Sequence, residues 1–223
     1  MFPEFYGNET IRRLAYEPRW SISTMQDTLT KDRKTGEAKT LGRKTPLDVK
    51  ELASSGHIRG AFATDEQCLM TLEELRAAFP GAVNNAFYVN AQIDEVLILD
   101  IEPDCPADVR DELLALPALY RETSMSGKGY HLIMPIPSNF GDFPIATGKR
   151  KLQHEKKWFE VLIEHWVTFT RNPIAEVAES SSGLTWEEVW ADLAIEAKEV
   201  TARDFDLASE RPEVPMMDAV VAS

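Results

Sequence analysis

The stretch EVLILDIE, residues 95–102, decides the fold class of this chain. Its apolar run has the length and composition of a buried β-strand, and it ends in an acidic pair. Alternate residues of a strand share a face, so the carboxylates of Asp100 and Glu102 point the same way, about 6.5–7 Å apart along the chain. The opposite face turns towards a core and consists of Leu97, Leu99 and Ile101.

Outward from this strand, the sequence carries further strand signals. The run AFYVN, residues 86–90, predicts a preceding strand, and the loop AQID between the two runs predicts a hairpin. Other strands are predicted at residues 131–137, 158–163 and 166–170. Strands and helices follow one another without strict alternation, which favours the α+β class with a mainly antiparallel sheet.

Helix ends are marked by capping residues and prolines. One helix is predicted from Thr45-Pro46 to Gly56, and another from Pro106 to Leu116. Two more begin at capping boxes, in which a threonine and the glutamate three residues later satisfy backbone N–H groups reciprocally. The boxes are Thr71 with Glu74 and Thr185 with Glu188. The stretch from Ala202 to Ser223 has no clear period and predicts a tail or linker.

The composition is typical of a globular protein. The 223 residues are enough for one sizeable core or a core with a small lobe, and 43% are hydrophobic and 27% charged. Disorder throughout, a collagen-like chain and a membrane bundle are excluded as classes, and we expect no signal peptide. Cys68 and Cys105 form no CxxC pair, so we expect a reduced, cytoplasmic chain without zinc or a disulfide framework.

The net charge of −13 is distributed unevenly. Residues 176–223 carry twelve acids and three bases, whereas residues 31–50 carry seven bases and three acids, and residues 145–157 carry five bases and one acid. Screening confines each charge to a reach of about 10 Å, so local basic strips can contact phosphate inside an acidic protein. Two solvated loops are the alternative interpretation of these strips.

Two features of the central sequence suggest chemistry. Asp100 and Glu102 repel each other on one strand face, and this is tolerable where a cation such as Mg²⁺ lies between them. The loop SMSGKGYH, residues 124–131, offers serine hydroxyls, glycine backbone N–H groups, a lysine and His131 to an anion such as phosphate. The alternatives are a strand that ends in solvent and an ordinary tight turn.

Two further features lie in the last predicted strands. Glu160 stands inside the apolar run WFEVLI, where an acid is costly unless it faces water, a partner or a metal ion. Thr168 and Thr170 share a strand face ahead of Arg171, and their hydroxyls suit contacts with a nucleotide. An outward-facing strand residue and ordinary β-propensity are the alternatives.

The order of these features resembles the archaeo-eukaryotic primase superfamily, in particular the primase-polymerase domains of phage and plasmid replication proteins. The resemblance covers residues 15–175, and the catalytic motifs of the family look like LDIE (99–102), SGKGYH (126–131) and FE (159–160). It implies an RRM-like antiparallel catalytic sheet, packed with helices and joined to an N-terminal α/β module. The family usually has glycine after the T-x-T pattern, where this chain has Arg171.

The resemblance also implies a domain organisation. Residues 1–176 would form the primase-polymerase catalytic domain, with the N-terminal module near residues 1–90 and the catalytic core near residues 86–176. Residues 177–223 would form an acidic C-terminal helix and a tail or linker. Because a helicase domain often follows such a core in relatives, we expect a helicase domain or partner in the replication machinery.

The implied activity is template-directed transfer of nucleotides from (d)NTPs to a 3′-hydroxyl, which makes or extends primers on a DNA template. It would take place in the cytoplasm, that of a bacterial host for a phage enzyme.

On the resemblance, Asp100, Glu102 and Glu160 bind two Mg²⁺ or Mn²⁺ ions, and His131 contacts the incoming triphosphate. The other nucleotide contacts would be Ser124, Ser126, Gly127, Lys128, Gly129, Thr168 and Thr170. Phosphates of template and primer would contact the basic strips at Arg43, Lys44, Lys149, Arg150 and Lys151.

Two other functions stay open on the sequence. A metal-dependent nuclease uses similar carboxylates, but such sites often pair an acid with a lysine as E-x-K, and no E-x-K follows Asp100. A non-catalytic nucleic-acid-binding module of a replication complex would present aromatic side chains on the open sheet face. The predicted face presents carboxylates instead, which favours catalysis.

Overall fold

The chain folds into helices and antiparallel β-sheets. The computed structural model describes residues 2–31, 38–174, 177, 180 and 182–209, with the backbone course alone for residues 26–31, 38–43, 200 and 202–209. Every strand pair is antiparallel, so the α+β class expected from the sequence is confirmed. Within these residues, no helix combines the length and apolar character that crossing a membrane requires.

Strands from distant parts of the described chain assemble into separate sheets. They are β1 (Trp20–Ser21), β2 (Ser23–Lys31), β3 (Ala38–Pro46), β4 (Asn85–Asn90), β5 (Val96–Ile101), β6 (Tyr120–Thr123), β7 (Tyr130–Pro135), β8 (Lys151–Gln153), β9 (Phe159–Leu162) and β10 (Glu164–Phe169). The largest sheet has five strands in the order β6-β7-β5-β9-β8. A second sheet has the order β1-β4-β10, and β2 and β3 form a two-stranded hairpin.

The helices lie between and after these strands. They are α1 (Pro3–Gly7), α2 (Glu9–Leu14), α3 (Val49–Ser55), α4 (Leu72–Ala78), α5 (Ala91–Asp94), α6 (Ala107–Ala115), α7 (Pro144–Thr147) and α8 (Trp186–Ser209). Both predicted capping boxes are confirmed, at the starts of α4 and α8. Helix α8 continues to Ser209, past Ala202 where the sequence predicted a tail, and residues 210–223 lie outside the described residues.

The five-stranded sheet lies between two apolar clusters. One face packs against helices α6 and α8 through side chains that include Leu99, Val161 and Trp190. The other face packs against α1, α2 and the three-stranded sheet through side chains that include Ile98, Phe87 and Phe169. Removal of these surfaces from water is the main source of stability. Asp100 follows Ile98 by two residues, so it lies on this second face, just beyond its apolar part.

The predicted hairpin between β4 and β5 is wrong, because the two strands belong to different sheets. The intervening AQID forms the helical turn α5, in which Asn90 caps the backbone N–H of Gln92 and donates its own N–H to Asp94 at 2.7 Å. The buried Arg19 donates to the same Asp94 carboxylate and to the carbonyl oxygen of Tyr88. These contacts direct the chain from one sheet into the other, which strand propensity alone does not encode.

Helix α3 begins later than the sequence predicted. Thr45 and Pro46 belong to β3, where Pro46 pairs with Ser23, so the expected first helical turn is extended strand. The N-cap is Asp48, whose side chain accepts the backbone N–H of the residue three positions later at 2.9 Å. Gly56 ends the helix in the left-handed conformation with φ of 75°, as the sequence predicted.

Strands β9 and β10 are separated by Ile163 alone, yet they lie in different sheets. The three-stranded sheet thereby joins two strands of the first ninety residues to β10 of the predicted catalytic core. Helix α8 contributes Trp190 to the same apolar cluster as the large sheet. The division of the chain near residues 90 and 176 stays a prediction.

Candidate active site

A row of polar side chains crosses the large sheet from one edge strand to the other. The strand register places them side by side in the order β6, β7, β5, β9 and β8, as Glu122, His131, Asp100, Glu160 and Gln153. Directly paired residues of antiparallel strands point to the same face and have closely spaced Cβ atoms. The register therefore brings together side chains that lie far apart in the sequence.

Three carboxylates meet at the centre of this polar row. One oxygen atom from each of Asp100, Glu102 and Glu160 lies within 4.8 Å of the others. Burial, and then the charges of Asp100 and Glu160, raise the pKa of Glu102, so the ionised cluster is repulsive when only protein groups surround it. Carboxylate oxygens are the hard ligands that Mg²⁺ and Mn²⁺ prefer. The donor set fits the expected cations, whose binding stays a prediction.

Lys151 reaches this acidic cluster from the edge strand β8. Its Nζ donates to Oε2 of Glu160 at 2.5 Å. The basic run predicted that Lys151 contacts nucleic-acid phosphates, which stays a prediction; in the structure its ammonium group contacts a carboxylate of the cluster. The sequence signal was present as a basic run, but the partner depends on the pairing of β8 with β9.

His131 occupies the buried side of the row, next to the cluster. Its Nδ1 lies 3.2 Å from Oε1 of Glu122, and its Nε2 lies 3.7 Å from Oδ1 of Asp100. Burial lowers the pKa of His131, but the hydrogen bond to Glu122 and the charges of Asp100 and Glu122 outweigh it, and the net pKa is raised. The imidazole is thus held between two acids, with Nδ1 facing Glu122 and Nε2 facing Asp100.

Glu122 is a site residue that the sequence analysis missed. Its side chain is fully buried, and its carboxylate accepts hydrogen bonds from the hydroxyl of Tyr120 at 3.1 Å and the backbone N–H groups of Thr170 at 2.8 Å and Arg171 at 2.9 Å, besides facing His131. Arg171 has φ of 64°, in the left-handed region that favours glycine. The alternation of buried and partly exposed residues in YRET, residues 120–123, is the sequence signal that could have predicted β6 and the buried position of Glu122.

The loop at residues 124–129 is braced by its own serines. Oγ of Ser126 lies 3.0 Å from Oγ of Ser124 and accepts the backbone N–H groups of Lys128 at 3.2 Å and Gly129 at 3.4 Å. Gly127 has φ of 69°, and a Cβ at Gly129 would lie 2.6 Å from a backbone oxygen of β5. Glycine is therefore favoured at residue 127 and required at residue 129, and the loop is held against the end of β5 with Lys128 exposed to solvent.

A pocket of about 230 Å³ opens beside the carboxylates. The hairpin, the polar row and β10 supply its walls, which include Ser23, Lys44, His131, Glu160, His165 and Thr168. Oγ of Ser23 lies 2.9 Å from Oγ1 of Thr168, which ties the start of the hairpin to β10. Ser23 is a second site residue that sequence analysis did not select, and no local signal distinguishes it.

The two threonines that the sequence grouped together are separated in the structure. Thr168 lies in the pocket wall, whereas Thr170 follows the end of β10 and donates its hydroxyl to the carbonyl oxygen of Thr123 at 2.7 Å. Thr170 thereby joins β10 to β6 instead of facing the pocket. Its placement suits a structural link to the Glu122 network.

The bases that were predicted to contact phosphates have different surroundings in the structure. Lys44 is exposed at the pocket, and the side chain of Arg43 lies outside the described part of the chain. Lys149 donates to Thr201 of helix α8 at 3.3 Å. Arg150 donates to the hydroxyl of Tyr88 at 3.1 Å and to the carbonyl oxygen of Glu164. With Lys151 on Glu160, no two of the three consecutive bases share a partner.

Comparison with known proteins adds no family assignment. No protein-family model matches the chain, and no curated protein matches it. The function is therefore inferred from the residues of the site.

Proposed function

We propose that this protein is a template-directed nucleotidyltransferase, a primase-polymerase of the archaeo-eukaryotic primase type in a phage or plasmid replication system. The observation that carries the proposal is the meeting of Asp100, Glu102 and Glu160 within 4.8 Å, in a row with His131. A sheet face that ends in three acids and a buried histidine is poor for stability. It is well suited to bind metal ions and a triphosphate.

The strand order of the large sheet supports the fold part of the proposal. With the edge strand β8 left aside, the remaining strands β5, β6, β7 and β9, numbered in chain order, run second, third, first, fourth across the sheet, with α6 between the first two. This is the order of an RRM-like sheet. The acids lie on the central strand β5 and its neighbour β9, which matches the strands that the first and third motifs of the primase family would occupy.

The residues of the chain would divide the work of phosphoryl transfer. Two divalent ions, when bound, supply the alignment of the 3′-hydroxyl with the leaving pyrophosphate and offset the developing charge. Asp100, Glu102 and Glu160 would hold these ions, and hence their positive charge, at the reacting phosphate. His131, oriented by Glu122, offers Nε2 to a phosphate oxygen. We assign no side chain as an obligatory general base, because the reaction needs mainly positioning and electrostatic stabilisation.

The surroundings of the acids suit a nucleotide and a nucleic-acid strand. The braced loop with Lys128 presents a cation and polar groups at the end of β5, and the pocket presents Thr168 and Lys44. Lys44 is at the foot of the β2–β3 hairpin, whose sequence includes Lys31, Lys39 and Arg43. We expect the hairpin to contact template or primer phosphates, with binding that weakens as salt rises. We expect the protein to act on DNA in the cytoplasm.

One observation favours a second function, a metal-dependent nuclease. The sequence lacks E-x-K after Asp100, but Lys151 supplies an ammonium group at 2.5 Å from Glu160 through the fold. Lysine beside metal-binding acids is the arrangement that such nucleases use. In that reaction the Ser126 and Lys128 loop has no role, which is why nucleotidyl transfer is the first proposal.

The test is extension of a labelled primer on a DNA template with dNTPs or NTPs and with Mg²⁺ or Mn²⁺. The wild-type protein is compared with Asp100→Ala and with the control Asp111→Ala, an exposed acid of helix α6. We expect template-directed products from the wild type and the control, and none from Asp100→Ala. A shortened primer would establish the nuclease instead. Salt-sensitive DNA binding with an unchanged primer in every reaction would contradict catalysis and favour a binding module.

A further inference from the structure

Lys151 has an unusual place relative to the acidic cluster. It lies opposite Leu162 in the register of β8 and β9, and Gln153, two residues later, lies opposite Glu160. Residues two apart on a strand share a face, so Lys151 is on the same face as the acids. From this edge position its side chain crosses diagonally to Oε2 of Glu160 at 2.5 Å.

The two partners of this ion pair differ in their exposure to solvent. The side chain of Lys151 is 43% exposed, whereas that of Glu160 is 10% exposed. The lysine can therefore move into solvent without a large loss of packing, whereas the glutamate stays in the sheet. This asymmetry gives the ammonium group the character of a removable cation beside fixed acids.

A divalent cation and the ammonium group compete for the same carboxylate. Glu160 contributes to the group of three carboxylates that lie within 4.8 Å, and its Oε2 already accepts Lys151. A metal ion that binds this carboxylate in place of the ammonium group must separate the ion pair. The energy of the ion pair is then subtracted from the metal-binding energy.

We propose that Lys151 is a built-in counter-ion of the acidic cluster, which occupies Glu160 before a divalent cation binds and competes with that cation. The inference rests on the metal centre of the proposed function. It assigns Lys151 to control of metal affinity, a role different from tracking nucleic-acid phosphates. Once displaced, the exposed lysine is free to turn to the negatively charged substrate.

The chain offers a matched control in Lys149. It lies two residues earlier and is also exposed, but its Nζ donates to Thr201 and not to the acids. Lys151→Met and Lys149→Met therefore remove the same charge from neighbouring positions. Only the first removes an ion pair with the cluster, so their difference isolates the contact from the general charge of the surface.

The experiment is a titration of the full chain with Mn²⁺ alone. Binding is measured by calorimetry and by the electron paramagnetic resonance signal of free Mn²⁺. We expect Lys151→Met to bind Mn²⁺ about three- to fivefold more tightly than the wild type, the scale of a partly exposed ion pair. Lys149→Met should stay within about twofold of the wild type, because long-range surface charge is screened. Equal affinities of the two variants would overturn the inference. Thermal unfolding in EDTA checks that both variants fold.

Asp100→Ala and primer extension separate this inference from the proposed function. If Asp100→Ala binds Mn²⁺ as well as the wild type does, the metal centre is wrong and both proposals fail. If Lys151→Met binds more tightly but no protein extends primers, the counter-ion role is supported and the polymerase function fails. If primers are extended but Lys151→Met and Lys149→Met bind alike, only the counter-ion role fails.

Discussion

Two rows of side chains on one face of the large sheet differ in composition although they share the same strands. The apolar row contains Ile133, Ile98 and Leu162, which are at most 2% exposed. The polar row lies two residues away on each strand, at a distance of about 7 Å, and contains His131, Asp100 and Glu160. The apolar row is covered by the three-stranded sheet, whereas the polar row lines the open pocket.

The difference shows that cover, and not strand geometry, separates the stabilising part of this face from the chemical part. Covered apolar side chains contribute free energy of folding through burial. Three neighbouring carboxylates oppose folding until a cation offsets their charge. A step of two residues along each strand thus changes the expected consequence of substitution from loss of stability to loss of chemistry. Substitutions in the two rows can test this division.

The largest expected effect is on the chemistry of the polar row. Glu160→Gln keeps the size of the side chain but removes one charge of the proposed metal centre. We expect the rate of nucleotide addition to fall at least about a thousandfold, or about 4 kcal/mol in activation free energy. The unfolding free energy should change by less than about 1 kcal/mol, because repulsion is relieved as the Lys151 pair is lost. Single-turnover primer extension and urea unfolding measure the two quantities; a rate close to that of the wild type would break the comparison.

The next effect is on the stability of the apolar row. Ile98→Ala removes fully buried methyl groups and should lower the unfolding free energy by about 3 kcal/mol. The control Ile58→Ala is at a side chain that is 62% exposed and should change it by less than about 0.5 kcal/mol. Urea unfolding compares them. Equal effects would mean that Ile98 is not buried beneath the three-stranded sheet. The folded fraction of Ile98→Ala should keep nucleotide addition within a few-fold of the wild type.

A smaller effect is expected where the polar row is itself buried, at Glu122. Glu122→Gln sets an amide N–H₂ group against a network of donors, which should cost about 2 kcal/mol. Nitrogen NMR of the His131 ring distinguishes an orienting role of Glu122 from a purely structural one. Loss of the carboxylate should change the protonation of Nδ1, whereas a loss of stability alone should not. Tyr120→Phe removes one hydrogen bond to Glu122 and should cost less than Glu122→Gln. An unchanged His131 spectrum in Glu122→Gln would contradict the orienting role.

Local sequence signals predicted those parts of the fold that local contacts determine. The capping boxes at Thr71 and Thr185 are confirmed, because each is completed by a residue three positions away. The strand EVLILDIE is also present, as β5. The hairpin of β4 with β5 was wrong, because the ion pair of Arg19 with Asp94 joins segments seventy-five residues apart. Contacts of that separation leave no mark in a single stretch of sequence.

The candidate site divides in the same way. Asp100 and Glu102 share a face through the two-residue period of one strand, which the sequence shows directly. The resemblance to the primase family assigned Glu160 and His131 to the same predicted site as these two acids. The register of the sheet brings them together. Glu122 was missed because β6 was not recognised as a strand. Each of these placements depends on which strands are neighbours, and short sequence patterns do not state that.

The smallest expected effect is a pH dependence of the metal-free protein that arises from Glu102. Its pKa is raised in the folded state by burial and by its acidic neighbours, so the unfolded state binds fewer protons at intermediate pH. Its contribution to stability is therefore full at low pH and is lost as pH rises through the folded pKa.

In EDTA, Glu102→Gln should gain stability relative to the wild type between pH 4 and 7, by about 0.3 kcal/mol after solvent screening. Urea midpoints across this range measure the gain. A relative loss of stability would mean that the cluster is not repulsive. With saturating Mn²⁺ the sign should reverse, because the cation then favours the ionised carboxylate that the variant lacks.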